Sequence, residues 1–203
     1  EPPRGGAQRL RFTLEAPPQQ AWAVLLSQAS AGGRISVNGR MVGEVQSADS
    51  ATEVRWRRPH LLAIDPSLLV AGENTILIQT TYRSGVNVLA GVEVGPLAEV
   101  GRHHDRQFFL SSILPWVGAT LAACFALLFG LLWLRRHDWT IGLVTLASVF
   151  WALRCAFFLI ESMPAGAGLW LDVLFYVANG GFAVVITLVL LQLAGHSSTR
   201  AAW

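Results

Sequence analysis

Two charged residues, Arg154 and Asp172, lie inside long apolar stretches of the sequence. A charge in hydrocarbon is costly, so it usually pairs with another group or faces the interior of a helix bundle. Counted from the ends of the two apolar stretches, both residues lie at comparable depths. We therefore predict an intramembrane Arg154–Asp172 pair with a structural or signalling role. Glu161 is a competing partner for Arg154, and snorkelling of Arg154 to the head groups is the alternative.

A second group with binding chemistry is the run Trp56, Arg57 and Arg58. An indole ring offers a face on which a sugar can stack, and guanidinium groups donate hydrogen bonds to hydroxyls or carboxylates. The run is thus a candidate ligand-binding site for a carbohydrate or another small molecule. The alternative is that the arginines form a solvated edge of a sheet whose core contains Trp22.

Nothing in the sequence predicts catalysis. No nucleophile, base and orienting group occur together, and no serine lies in a G-x-S-x-G context. His60, His103 and His104 lack the spacing of metal ligands. Cys124 and Cys155 both fall in apolar segments and form no disulfide framework. We therefore predict no catalytic residue, no metal and no cofactor in this chain.

Charge is unevenly placed along the chain. Residues 1–107 hold 11 Arg and 10 Asp or Glu, whereas residues 108–203 hold four Arg and three acids. The apolar fraction of 53% and the mean hydropathy of +0.46 are high for a soluble domain. The first half therefore has the charge density of a soluble domain, and the second half that of segments in hydrocarbon. A net charge of +2 without a basic block argues against a nucleic-acid partner.

The first half has a period of two, which is typical of half-buried strands. Asn38-Gly39 lies between two alternating runs and predicts a hairpin, because a type I′ turn needs positive φ at both central residues. Short strands separated by Gly and Pro predict a β-sandwich or jelly roll. The predicted strands are residues 9–14, 22–26, 34–37, 40–43, 52–56, 75–80 and 87–94.

Two motifs of this half resemble the galactose-binding-like jelly roll. They are residues 37–40 (VNGR) and residues 69–78 (LVAGENTILI), in which Gly72 and Asn74 form a corner before an apolar strand. The resemblance covers about residues 8–96 and implies an all-β jelly-roll fold, without specifying a ligand.

The second half predicts three transmembrane helices, each long enough to cross a bilayer. The first helix contains Pro115 in its early turns, where a proline can produce a kink. The predicted organisation is a β-sandwich at residues 1–100, a juxtamembrane linker at 101–107, helices at 108–134, 140–160 and 169–194, and a cytoplasmic stub of a truncated chain at 195–203.

Arginine placement predicts the orientation. Arg135 and Arg136 lie between the first two helices, whereas residues 161–168 between the second and third contain no Lys or Arg. Positive residues concentrate in cytoplasmic loops, so Arg135 and Arg136 are predicted inside and residues 1–107 outside the cytoplasm. We expect a multi-pass protein of a bacterial inner membrane with an extracytoplasmic N-terminal domain.

This architecture resembles the bacterial seven-transmembrane receptors with diverse intracellular signalling modules, in particular those that are sensor histidine kinases. The resemblance rests on residues 94–97 (VGPL), the arginine-containing segment 102–106, residues 134–136 (LRR) and residues 150–154 (FWALR). It implies that this chain is an ectodomain with the first three of seven helices. Output by a histidine kinase, or alternatively a diguanylate cyclase, follows from the resemblance alone.

Three functions follow from these observations. The leading one is the sensing part of a membrane signal-transduction protein that uses the lipid bilayer as its environment and a homodimer as its assembly. The second is a membrane-anchored carbohydrate-binding or envelope-glycan enzyme subunit. The third, a transporter with an accessory domain, is disfavoured because the sequence lacks inverted repeats and has few intramembrane polar residues.

Overall fold

The computed structural model of the chain describes residues 4–29, 32–47, 51–54, 57–82 and 89–194. These residues form two compact units. The first, called the sheet unit, contains the described residues up to Ile113 together with Ile160–Gly166. The second, called the helix unit, contains Leu114–Leu159 and the described residues from Ala167 onward.

Antiparallel pairing organises the strands of the sheet unit. The described strands are β1 (Arg4–Leu14), β2 (Trp22–Ala29), β3 (Gly33–Val37), β4 (Arg40–Val45), β5 (Thr52–Val54), β6 (His60–Ile64), β7 (Gly72–Tyr82), β8 (Leu89–Pro96) and β9 (Ser162–Pro164). They form a four-stranded sheet in the order β1-β7-β3-β4, a three-stranded sheet in the order β6-β2-β8, and the pair β5-β9.

The two larger sheets share one apolar core. Alternate residues of each strand point into it, as a pleated backbone requires. The most deeply buried members, none more than 1% exposed, are Val24, Leu26, Ile35, Val37, Ile64, Ile76 and Ile78. The N-terminal half is therefore a domain of antiparallel sheets, as the alternating sequence predicts.

A helix covers the outer face of β2. Helix α1 (Leu97–Phe108) packs Val100 against Ala23 and Leu25, which point away from the main core. Strand β2 is thus buried on both faces, which explains its continuous apolar sequence. Residues 101–107 lie in this helix, whereas the sequence predicts a juxtamembrane linker there.

A network of two asparagines joins two corners of the sheet unit. Asn38 (φ 49°) and Gly39 (φ 82°) turn β3 into β4, which confirms the predicted Asn-Gly hairpin. The Asn38 side chain donates to Asn74 Oδ1 at 2.8 Å and accepts from the Thr75 N–H at 2.9 Å. Asn74 is fully buried, and its Oδ1 also accepts from the Val70 N–H at 2.9 Å. Its Nδ2 donates to the carbonyls of Val70 at 2.7 Å and Gly72 at 3.1 Å, so both polar atoms of the side chain have partners.

Three helical segments among the described residues are long and apolar enough to cross a membrane. They are Leu97–Arg136, Trp139–Phe157 and Gly168–Leu193. The chain is therefore a membrane protein. The helix unit holds α2 (Leu114–Arg136), α3 (Trp139–Phe157) and α4 (Gly168–Leu193).

Local chemistry explains where these helices begin. A π-helical turn at Phe109–Ile113 precedes Pro115, whose missing N–H cannot bond the carbonyl four residues earlier. Asp138 starts α3, because its carboxylate accepts from the N–H groups of Thr140 at 2.8 Å and Ile141 at 3.2 Å.

Helix α3 packs on both of its neighbours through small residues. A Cβ at Gly118 of α2 would lie 3.4 Å from the sulfur of Cys155, which is ordinary contact. A Cβ at Gly181 of α4 would lie 2.6 Å from the ring of Phe150, which is too close. Glycine at 181 therefore lets α4 approach α3 closely, as small residues do in membrane helix pairs.

Candidate functional site

The connection between α3 and α4 contributes a strand to the sheet unit. Strand β9 lies in this connection, where the sequence predicts no strand. It pairs antiparallel with β5 over three residue pairs. The register is Thr52 with Pro164, Glu53 with Met163 and Val54 with Ser162.

Proline at position 164 fits this pairing. The Ala165 N–H donates to the Ala51 carbonyl at 2.8 Å, so these two residues form a hydrogen-bonded pair. Hydrogen-bonded and non-hydrogen-bonded pairs alternate along an antiparallel ladder. Thr52 and Pro164 therefore form a non-hydrogen-bonded pair, where the missing proline N–H costs no ladder bond.

Side chains anchor β9 at both ends. Before the strand, Glu161 accepts from Arg58 at 3.2 Å. After it, the Gly166 N–H donates to Glu53 Oε1 at 3.2 Å. In the middle, the Met163 side chain is 5% exposed. The segment is held by a ladder, an ion pair, a backbone-to-carboxylate bond and a buried side chain, which distinguishes it from a solvated loop.

The ion pair is partly shielded from water. The side chain of Glu161 is 20% exposed and that of Arg58 is 43% exposed. Exposed pairs contribute little because solvent screens them, whereas shielding strengthens the attraction. We expect this pair to be stronger than Arg34–Glu44 of the four-stranded sheet, whose side chains are 67% and 41% exposed.

His60, at the start of β6, shares the electrostatic surroundings of Arg58. Burial, together with the smaller effects of the charges of Arg58 and His104, lowers the pKa of His60 from 6.5 to about 4. His60 is consequently neutral near pH 7. Near pH 7 the charges next to His60 therefore include those of the Arg58–Glu161 pair, and the imidazole adds none.

Inside the helix unit, Arg154 of α3 bonds to an amide of α4. Its Nε donates to Asn179 Oδ1 at 2.8 Å. The guanidinium also lies 4.7 Å from the ring centroid of Trp151 and 5.7 Å from that of Phe158. A neutral amide and two ring faces thus surround the charge, and all of them favour a cation.

The structure places the predicted site residues as follows. Arg57 and Arg58 are half-buried, and Trp56 lies outside the described residues. Arg58 forms an ion pair with Glu161, the residue predicted as a competing partner for Arg154. Asp172 is half-buried in the first turns of α4. The Arg154–Asp172 pair stays a prediction, and the hydrogen bond of Arg154 to Asn179 adds a partner that was missed.

A signal for Asn179 was present in the sequence. Asn179, Gly180 and Gly181 predict close helix contact, since amides hydrogen-bond across membrane helices. The structure assigns the two glycines different surroundings: Gly181 faces Phe150, whereas a Cβ at Gly180 would meet no atom within 4 Å. No comparable signal marks β9, because Ser162-Met163-Pro164 has neither alternation nor a β-branched residue.

Comparison with known proteins adds no assignment. No family model matches this sequence, and no curated protein matches it.

The glycine pair provides a test of the α3–α4 contact. Gly181→Ala should destabilise the pairing of α3 with α4 by about 1–3 kcal/mol, because the new methyl group overlaps the Phe150 ring. Gly180→Ala is the matched control and should be neutral or slightly stabilising, since alanine favours a helix. Thermal unfolding of the full chain in lipid nanodiscs measures both variants. Equal effects of the two substitutions would contradict the close approach at Gly181.

His60 provides a test by pH. The unfolded chain binds a proton near pH 6.5, whereas the folded sheet unit resists protonation until about pH 4. Stability of the sheet unit should therefore fall as the pH drops from 6.5 to about 4. His60→Gln should reduce this dependence, measured by hydrogen–deuterium exchange of the β2 amides at each pH. An unchanged pH dependence in His60→Gln would assign the acid sensitivity to other groups.

Proposed function

We propose that this chain is the sensing part of a bacterial membrane signal-transduction protein. In this proposal the sheet unit is a galactose-binding-like jelly roll outside the cytoplasm, and the helices lie in the inner membrane. A two-component histidine kinase is the proposed output, with a diguanylate cyclase as the alternative. The output rests on the resemblance of residues 94–97, 134–136 and 150–154 to receptors of that type.

The observation that carries the proposal is the β5–β9 pair. A binding domain that is only anchored to a membrane needs one flexible connection to its anchor. Here a second chain segment, between two apolar helices, folds as a strand of the same domain. A receptor needs such a connection, because a ligand can shift the state of a helix only if domain and helix are energetically coupled.

Strand β9 also supports the proposed orientation. Because β9 belongs to the sheet unit, residues 160–166 and the N-terminal domain share one side of the membrane. Helices α2 and α3 lie between them in sequence. One crossing away from that side and one crossing back put Arg135 and Arg136, which lie between the two helices, on the opposite side. Two arginines in this turn favour the cytoplasm, which places the sheet unit outside.

The proposed ligand is a carbohydrate or another small molecule that carries hydroxyl or carboxylate groups. Arg57 is half-buried on the segment that leads from β5 to β6. Arg58, two residues before β6, forms an ion pair with Glu161. We assign ligand contact to Trp56, Arg57 and Arg58 for their residue types, an indole that can stack on a sugar and guanidinium groups that donate hydrogen bonds, and Arg58 also links this segment to β9.

Binding to the full chain in nanodiscs tests the proposal. Among neutral sugars and uronic acids, at least one should slow hydrogen exchange in residues 57–64. The same sugar should also change exchange in the last turn of α3 and the first turn of α4. Arg57→Ala should weaken sugar binding by at least about tenfold, as expected for the loss of a charged hydrogen bond. Both changes in hydrogen exchange should then disappear at the same sugar concentration. Arg40→Ala, on the exposed β4 hairpin, is the control and should bind normally.

Two results would change the assignment. Protection confined to the sheet unit, with α3 and α4 unaffected, would favour the membrane-anchored carbohydrate-binding or envelope-glycan subunit. Absence of binding by every sugar would contradict the carbohydrate ligand.

A further inference from the structure

The links between β9 and its flanking helices are short. Helix α3 ends at Phe157, and Phe158 and Leu159 continue it as a turn, with their N–H groups bonded to Cys155 and Ala156. Only residues 160 and 161 then precede β9, and three residues separate β9 from α4. A residue spans at most about 3.6 Å, so neither link can absorb a large displacement of the strand.

The anchors of β9 lie on both sides of the strand. Glu161 is held by Arg58 immediately before it, and Ala165 and Gly166 are held by Ala51 and Glu53 immediately after it. The described anchoring groups belong to Ala51, Glu53 and Arg58 of the sheet unit. A displacement that these three residues share therefore acts on both ends of β9 together.

Helices α3 and α4 are also joined to each other within the helix unit. Arg154 bonds to Asn179, Phe150 packs on Gly181, and the rings of Phe157 and Phe175 lie 4.4 Å apart. These contacts span the outer and middle turns of both helices. They favour movement of α3 and α4 as a pair, because separating the helices would expose the Arg154 charge and leave a cavity beside Gly181.

We propose that β9 is the coupling element through which the sheet unit controls the α3–α4 pair. A shift of β5 is passed to the helix ends by the β5–β9 ladder, and Arg58 and Glu161 are the positioning residues that keep β9 in register. This coupling adds a mechanism to the proposed receptor function, and its biological role rests on that proposed function. The coupling itself needs neither a ligand nor an output domain, so it can be tested separately.

Glu53→Pro perturbs the ladder from the side of the sheet unit. Ala51 and Ala165 form a hydrogen-bonded pair, and the two kinds of pair alternate, so Glu53 and Met163 also form a hydrogen-bonded pair. Proline at position 53 therefore removes a ladder bond. In the full chain in nanodiscs, we expect about tenfold faster hydrogen exchange in residues 162–166, in the last turn of α3 and in the first turn of α4. Thr52→Pro, at a non-hydrogen-bonded pair, is the matched control and should have the smaller effect.

Arg58 and Glu161 provide a second test, which leaves every strand residue unchanged. Glu161→Gln should speed exchange in β5 and β9 by about threefold to tenfold, and the charge swap Arg58→Glu with Glu161→Arg should restore part of the protection. Arg34→Gln breaks an ion pair of similar length, 3.3 Å, on another sheet and should leave β9 unaffected.

The outcomes separate the coupling from the receptor function. If β5 and β9 open but the ends of α3 and α4 exchange at the original rates, β9 is a passive tether and the coupling is wrong. If Glu53→Pro unfolds the whole sheet unit, the Glu161→Gln variant decides by the same criterion. Coupling without any sugar binding would retain this inference and contradict only the proposed ligand.

Discussion

The architecture depends on one short antiparallel ladder between β5 and β9. Among the described residues, β9 is the strand that pairs with β5, so the backbone groups on the facing edges of the two segments bond to each other. A ladder of three residue pairs is too short to be stable alone. It persists because Met163 is buried and because Arg58 and Glu53 hold the residues on either side. The connection between two membrane helices is thereby part of a folded domain.

The helix unit meets a complementary constraint, which is the lack of hydrogen-bonding solvent in a bilayer. Arg154 brings a charge into an apolar helix, and the Asn179 oxygen and the faces of Trp151 and Phe158 replace its water. Because Asn179 belongs to α4, solvating the charge also binds the two helices together. The bond between Arg154 and Asn179 thus joins α3 to α4, the two helices whose connection contains β9.

Local patterning was enough to predict most of the sheet unit. Alternation predicted β1, β3 and β4, β-branched residues predicted β7, and Asn38-Gly39 predicted the hairpin, because these signals act within a few residues. Strand β6 was missed, since the short apolar run of residues 61–64 has no period that separates strand from helix. Residues 97–108 were divided between domain and linker, although their apolar side covers β2.

The candidate site was harder to predict, because its partners are distant in the chain. The pairing of residues 52–54 with 162–164 joins segments separated by more than one hundred residues and carries no local pattern. Arg58 was predicted to contact a ligand, which stays a prediction, and its ion pair with Glu161 was not predicted because the two residues are far apart in the sequence. For Arg154, depth in the helix predicted a pair with Asp172, which stays a prediction. The hydrogen bond to Asn179 was missed because it depends on the rotation of α4 about its axis.

Disulfide cross-linking tests the central claim, that β9 is a strand of the sheet unit, most directly. In a chain carrying Cys124→Ala and Cys155→Ala, cysteines at Thr52 and Pro164 occupy a non-hydrogen-bonded pair, where Cα atoms lie about 4.5 Å apart. We predict rapid oxidation of this pair in native membranes, and little for cysteines at Thr52 and Gly166. Failure of the 52–164 pair to cross-link, or equal cross-linking of both pairs, would contradict the account.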